Sequence, residues 1–153
     1  ELAMLITSHF NLDSVAEPLQ MFARADLLIF QNKDSLALQT FDTITTVFPS
    51  HTLADKILMR KATIHEKHFR YQEAANYYEQ ILKDYTNTTS ADDACFYLAQ
   101  LNEFQFKNIE RAQDLYKTIL TEYPGSIFVH EARTRYRFLR GDIQESEIRN
   151  LLP

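Results

Sequence analysis

Apolar positions recur along this chain at helical spacing, and the spacing itself repeats. In Tyr71–Tyr85, the residues Ala74, Tyr78, Ile81, Leu82 and Tyr85 fall on one face of a helix. The same order stands upstream in Leu36–Pro49 and downstream in Arg111–Pro124. A small residue recurs at Ala37, Ala74 and Ala112, and an aromatic at Phe41, Tyr78 and Tyr116. An isoleucine follows at Ile44, Ile81 and Ile119, then a closing aromatic at Phe48, Tyr85 and Tyr123. Every marker advances in steps of 37 and 38 residues. Such a period identifies stacked helical hairpins, each burying a face that it cannot bury alone.

A second series fills the intervals. Ala25, Ala62 and Ala99 lie 37 residues apart on preceding helices, where a small side chain admits a close neighbour. Ser14-Val15-Ala16-Glu17, Thr52-Leu53-Ala54-Asp55 and Ser90-Ala91-Asp92-Asp93 read as capping-box starts, with Pro18 tolerated in a first turn. Asp34 reads as the cap of the second helix after a short polar turn, and Pro49 ends that helix. Each unit is thus expected to pair a first helix of about 15 residues with a second of about 14.

The predicted organisation is one all-α domain. Residues 1–12 form the tail of a preceding repeat, because Ile6 and Phe10 fall in register with Ile44 and Phe48. Repeats follow at 14–50, 52–88 and 90–125, and capping helices at 126–152, with Gly141 as a left-handed stop and Asp142 as the last cap. Beginning at Glu1 and not at Met, the chain reads as part of a longer protein.

Composition narrows the function classes. The chain has 153 residues, 45% hydrophobic and 24% charged, a mixture that folds rather than stays disordered. Its net charge of −5 argues against nucleic acid as the main partner. No apolar run approaches the roughly 20 residues of a membrane helix. With two glycines, no glycine-rich phosphate loop can be built, and no paired-carboxylate pattern stands out. Cys95 is the sole cysteine, at a position otherwise filled by Met21 and Leu58, so it reads as a small buried hydrophobe without a paired base. His65 and His68 stand one turn apart but lack a third ligand. No catalytic residue, metal or cofactor is therefore expected.

Ala37-x3-Phe41, Ala74-x3-Tyr78 and Ala112-x3-Tyr116, with closing prolines Pro49 and Pro124, resemble tetratricopeptide repeats. The usual tryptophan is replaced by Met21, Leu58 and Cys95, Thr86 stands where a third proline belongs, and the period is longer than the standard 34. Tyr123-Pro124-Gly125-Ser126 is similar to repeats of bacterial periplasmic coordinators and outer-membrane assembly lipoproteins. The tail from Glu131 to Asp142 looks like the close of large bacterial repeat proteins, particularly those of Bacteroidetes. The resemblance implies a right-handed α-solenoid of antiparallel helix pairs, about three and a half repeats long, serving as a non-enzymatic protein–protein interaction scaffold. It favours a periplasmic or outer-membrane-associated setting.

The resemblance also implies a concave groove lined by first helices. Carried over position by position, the groove comprises Phe22, Asp26 and Ile29, then Met59, Thr63 and Glu66, then Phe96, Gln100 and Glu103. This mixture of apolar and acidic groups suits an extended or helical peptide. It departs from the clamp of chaperone-binding members, because Met59 and Phe96 stand where that clamp needs charge. The competing reading packs Phe22, Met59 and Phe96 against a neighbouring repeat of the full-length protein. Arg133, Arg137 and Arg140 share a face of the fourth first-type helix, which suggests an anion patch for an acidic peptide, a phosphate or RNA. Against it stands a solvated face pairing with Glu131 and Glu145, and a third function class is a spacer whose groove its own chain fills.

Overall fold

Every marker of the repeat is a core residue. Ala37, Ala74 and Ala112 are fully buried, as are Phe41, Tyr78 and Tyr116 and the three isoleucines, while Phe48, Tyr85 and Tyr123 are half-buried at the helix ends. The computed structural model describes the backbone of residues 2–151 and the side chains of residues 16–149. Its elements are α1 (Leu2–Phe30), α2 (Asp34–Val47), α3 (Ala54–Lys67), α4 (Tyr71–Asp84), α5 (Thr89–Gln100), a π-helical continuation of α5 (Leu101–Gln105), α6 (Ile109–Glu122), α7 (Val129–Leu139) and α8 (Glu145–Leu151). Each helix packs on the next in the chain, so the described residues form an all-helical solenoid of hairpins. No helix among them is long and apolar enough to cross a membrane.

The hairpins turn through a residue with left-handed backbone at equivalent places: Asn32 (φ 58°), Phe69 (φ 59°) and Lys107 (φ 56°). Asparagine adopts this conformation readily, whereas at Phe69 and Lys107 it costs about 1–2 kcal/mol. The turn is fixed because Lys33 N–H reaches the Leu28 carbonyl (2.8 Å) and Arg70 N–H that of His65 (2.9 Å), closing carbonyls that the helix end leaves open.

The change of period from 37 to 38 has a physical location. Ala25 and Ala62 stand seven residues before their left-handed turns, but Ala99 stands eight before Lys107. The additional residue is absorbed as a π-turn: Phe106 N–H bonds the Leu101 carbonyl (2.9 Å) and Asn108 N–H that of Asn102 (2.8 Å). The buried Asn102 amide donates back to the Leu98 carbonyl (2.8 Å).

Several expected starts are corrected. No break separates residues 1–12 from the first repeat, because α1 runs continuously from Leu2 to Phe30 with Pro18 inside it. The register markers Ile6 and Phe10 and the expected Ser14 cap lie outside the described side chains. Ser90 is not a cap: its hydroxyl donates to Asp55 Oδ2 of the preceding unit (2.7 Å), a buried bond between hairpins. Thr52 does not cap either; α3 follows Leu53, whose N–H bonds His51 Nδ1 (3.1 Å). Asp34 lies inside α2, where its Oδ2 accepts from Lys67 (2.9 Å) and His68 (2.8 Å). Burial alone pushes the Asp34 carboxyl up, but these partners outweigh it and hold the group below its ordinary value. At the far end Gly141, with φ 84°, ends α7 as expected. Asp142 pairs with Arg140 (3.3 Å), and the turn into α8 is closed by Gln144 N–H on the Glu147 carboxylate (3.4 Å).

Candidate partner-binding groove

First helices bring their faces together on one side of the stack. Between α1 and α3 lies a cavity of about 400 Å³ lined by Asp26, Ile29, Phe30, Arg60, Thr63, Ile64 and Lys67. Between α3 and the α5 π-turn lies a second of about 510 Å³, whose walls include Glu66, Tyr71, Tyr97, Gln100 and Phe104. Thr63 and Lys67 belong to both, so the two adjoin as one trough.

Of the nine residues carried over from the resemblance, Asp26, Ile29, Thr63, Glu66 and Gln100 line this trough. Phe96 does not: it is 3% exposed and stacked on Phe128, just before α7, centroids 4.1 Å apart and planes within 4°. Phe22 packs on Phe41 (5.5 Å) beneath Arg60, and Met59 packs against the core. Phe96 thus packs against the following unit, whereas Phe22 packs within its own hairpin and Met59 against the core. Glu103 is 5% exposed and engaged by Arg135 and by the Tyr116 hydroxyl (2.8 Å), so it is a buried strut rather than a groove residue.

Carboxylate and hydroxyl change together from unit to unit. Glu66 accepts from Tyr78 (2.7 Å) and Glu103 from Tyr116, whereas Ile29 stands at the acid's position in the first unit, beside hydroxyl-free Phe41. Burial raises the Glu66 carboxyl above its ordinary value, against the Tyr78 bond that lowers it.

Spacing could not find Arg60, Lys67, Tyr71, Tyr97 and Phe104 as lining residues. A signal existed in Arg60, Tyr97 and Arg135, which share one repeat position. Exposed aromatics are a second signal at the turn edge, where Phe30 is 85% and Phe69 78% exposed.

The remaining candidates are placed separately. Arg133 and Arg137 are exposed on α7 and Arg140 at its C-terminal end; Arg140 pairs with Asp142 and lies over the Tyr136 ring (5.4 Å), while Arg133 and Arg137 make no ion pair among the described residues. The expected pairing of this face with Glu131 and Glu145 is therefore replaced by the Arg140–Asp142 contact. His68 is bound to Asp34, while His65 lies against the Tyr77 ring (5.4 Å), so the two imidazoles serve different neighbours. Cys95 is fully buried, its thiol donating to the Leu115 carbonyl (3.3 Å), and burial pushes its pKa up to about 12. The thiol is thus expected to resist an aromatic disulfide reagent in the native protein and to react only on unfolding. Rapid stoichiometric labelling of the folded chain would contradict that placement.

Hairpin units, buried small residues and the inner trough define a helical-repeat protein of the solenoid class. The model of the tetratricopeptide repeat matches residues 57–88 and 93–126, which correspond to the second and third units. Over these two units the chain is similar to tetratricopeptide repeats, and the first unit joins the same series through Ala25, Ala37, Phe41 and Ile44. Comparison with curated proteins returned no match. Tetratricopeptide repeats generally mediate protein–protein interaction and are typically non-enzymatic.

Proposed function

We propose that this chain is a non-enzymatic scaffold that takes an extended or helical segment of a partner protein into its concave trough. The adjoining cavities across α1, α3 and α5 carry the reading. They are open among the described residues, adjoin through Thr63 and Lys67, and combine the apolar Ile29, Phe30 and Ile64 with a few polar groups, a lining that suits a peptide with apolar anchors. An open trough also disfavours a spacer filled by its own chain. The anion-patch alternative on Arg133, Arg137 and Arg140 has less support, since Asp142 neutralises Arg140 and the net charge is negative. Retention on heparin at low salt that falls steeply with salt would favour it.

Thr63 gives the test. It is exposed on the wall common to both cavities, so Thr63→Trp fills the trough without disturbing the core. Peptides selected from a random displayed library against the folded chain are expected to lose about tenfold or more in affinity for this variant. Gln80→Trp, exposed on α4, is expected to leave affinity unchanged. Equal affinity for Thr63→Trp and wild type would reject the trough as the binding surface.

A further inference from the structure

Three junctions between consecutive first helices present one position in three versions. Equivalent turn bonds set the register: Ala54 N–H to the His51 carbonyl, Ala91 to Thr88 and Val129 to Ser126. Six residues beyond each stand Arg60, Tyr97 and Arg135. At the first junction Arg60 makes a two-pronged contact with Asp26 (2.7 and 3.2 Å) and its guanidinium lies 5.8 Å over Phe22. At the third, Arg135 engages Glu103 and lies 5.0 Å from the Phe104 ring and 5.1 Å from that of Phe138. Twice, then, the fold seats a guanidinium on a carboxylate and against aromatic rings, the combination its planar fork and delocalised charge favour.

At the middle junction the chain supplies no guanidinium, because the residue is Tyr97. The rest of the seat is present. Glu66, equivalent to Glu103, is half-buried, bound by the Tyr78 hydroxyl at one oxygen, and has no ion pair among the described residues. Tyr71, Tyr97 and Phe104 stand around it in the cavity of about 510 Å³. Lys67 shares this wall, but its ammonium is held by Asp34 (2.9 Å) and Asn32 (2.9 Å). Its charge is therefore matched before any ligand arrives.

We propose that the cavity at Glu66, Tyr71, Tyr97 and Phe104 receives an arginine side chain of the bound partner segment, supplying from outside the guanidinium that Arg60 and Arg135 supply from within. The inference rests on the trough being the binding surface. Burial, which raises the Glu66 carboxyl above its ordinary value, makes a cationic partner there the more favourable.

The experiment pans a random peptide display library against the folded chain and against Glu66→Gln, whose amide oxygen still accepts from Tyr78. Wild type is expected to enrich arginine at one position, and Glu66→Gln to lose that preference while still capturing peptides. A peptide selected on wild type is expected to bind Glu66→Gln about tenfold or more weakly. Its citrulline analogue should lose as much against wild type and nothing further against the variant, a measurement that leaves the protein untouched. Peptides that Thr63→Trp displaces but that show no arginine preference, or that prefer lysine, would overturn this inference and leave the trough reading standing. Failure to select any peptide would overturn both.

Discussion

Arg135→Ala is expected to destabilise the folded chain by about 3–5 kcal/mol, read as a lowered denaturant midpoint. The reason is the state in which it leaves Glu103. That carboxylate is 5% exposed, and its partners are the Arg135 guanidinium and the Tyr116 hydroxyl (2.8 Å). With the guanidinium gone, a charge that water cannot reach keeps a neutral hydrogen bond and no counter-ion. The aromatic rings of Phe104 and Phe138 lose the cation lying 5.0 and 5.1 Å from them as well. Removing the charge together with its partner separates these effects. Arg135→Ala combined with Glu103→Gln keeps an acceptor for Tyr116 and is expected to recover much of the loss. If the double variant were no more stable than the single one, the damage would come from lost packing and not from a stranded charge. Since Arg135 and Glu103 link α7 to the third hairpin, the pair also joins the terminal helices to the stack.

The repeat was legible because stacking imposes the same steric demand at each period. Ala74 and Ala112 are small for the reason Ala37 is, and a single sequence displays that three times. What it does not display is which neighbour a polar side chain finds. Ser90 carries a capping pattern, yet Asp55 of the preceding unit is the buried acceptor within reach. Asp34 reads as a cap but is claimed by Lys67 and His68, more than thirty residues away. Such bonds between hairpins depend on how adjacent units lie, which periodicity does not encode. Glu66 and Glu103 show the same limit for the trough: they occupy one repeat position, and the difference between an open carboxylate and a buried strut is set by Tyr97 and Arg135 on the next helix. The additional residue after Ala99 was visible as a longer step, but only the backbone shows it spent as a π-turn.

Phe96→Ala is expected to cost about 3–5 kcal/mol of stability, as truncation of a buried phenylalanine does. The position is instructive because it is equivalent to Met59 and Phe22, the set from which groove anchors were expected. The ring is 3% exposed; it stacks on Phe128 at 4.1 Å and meets Tyr97 and Tyr116 at 5.9 and 6.2 Å. A variant at this site would lose any partner by losing its fold, so weakened binding in Phe96→Ala says nothing about the trough. The two interpretations part in a cycle with Phe128→Ala. Stacked rings are expected to couple by about 0.5–1.5 kcal/mol beyond their separate burial, so the double variant should be less damaged than the sum of the singles. A Phe96→Ala protein with unchanged midpoint and weakened peptide affinity would return the residue to the binding surface. An unchanged affinity among the molecules still folded, with a lowered midpoint, would establish it as the packing contact that holds α7 on the third hairpin.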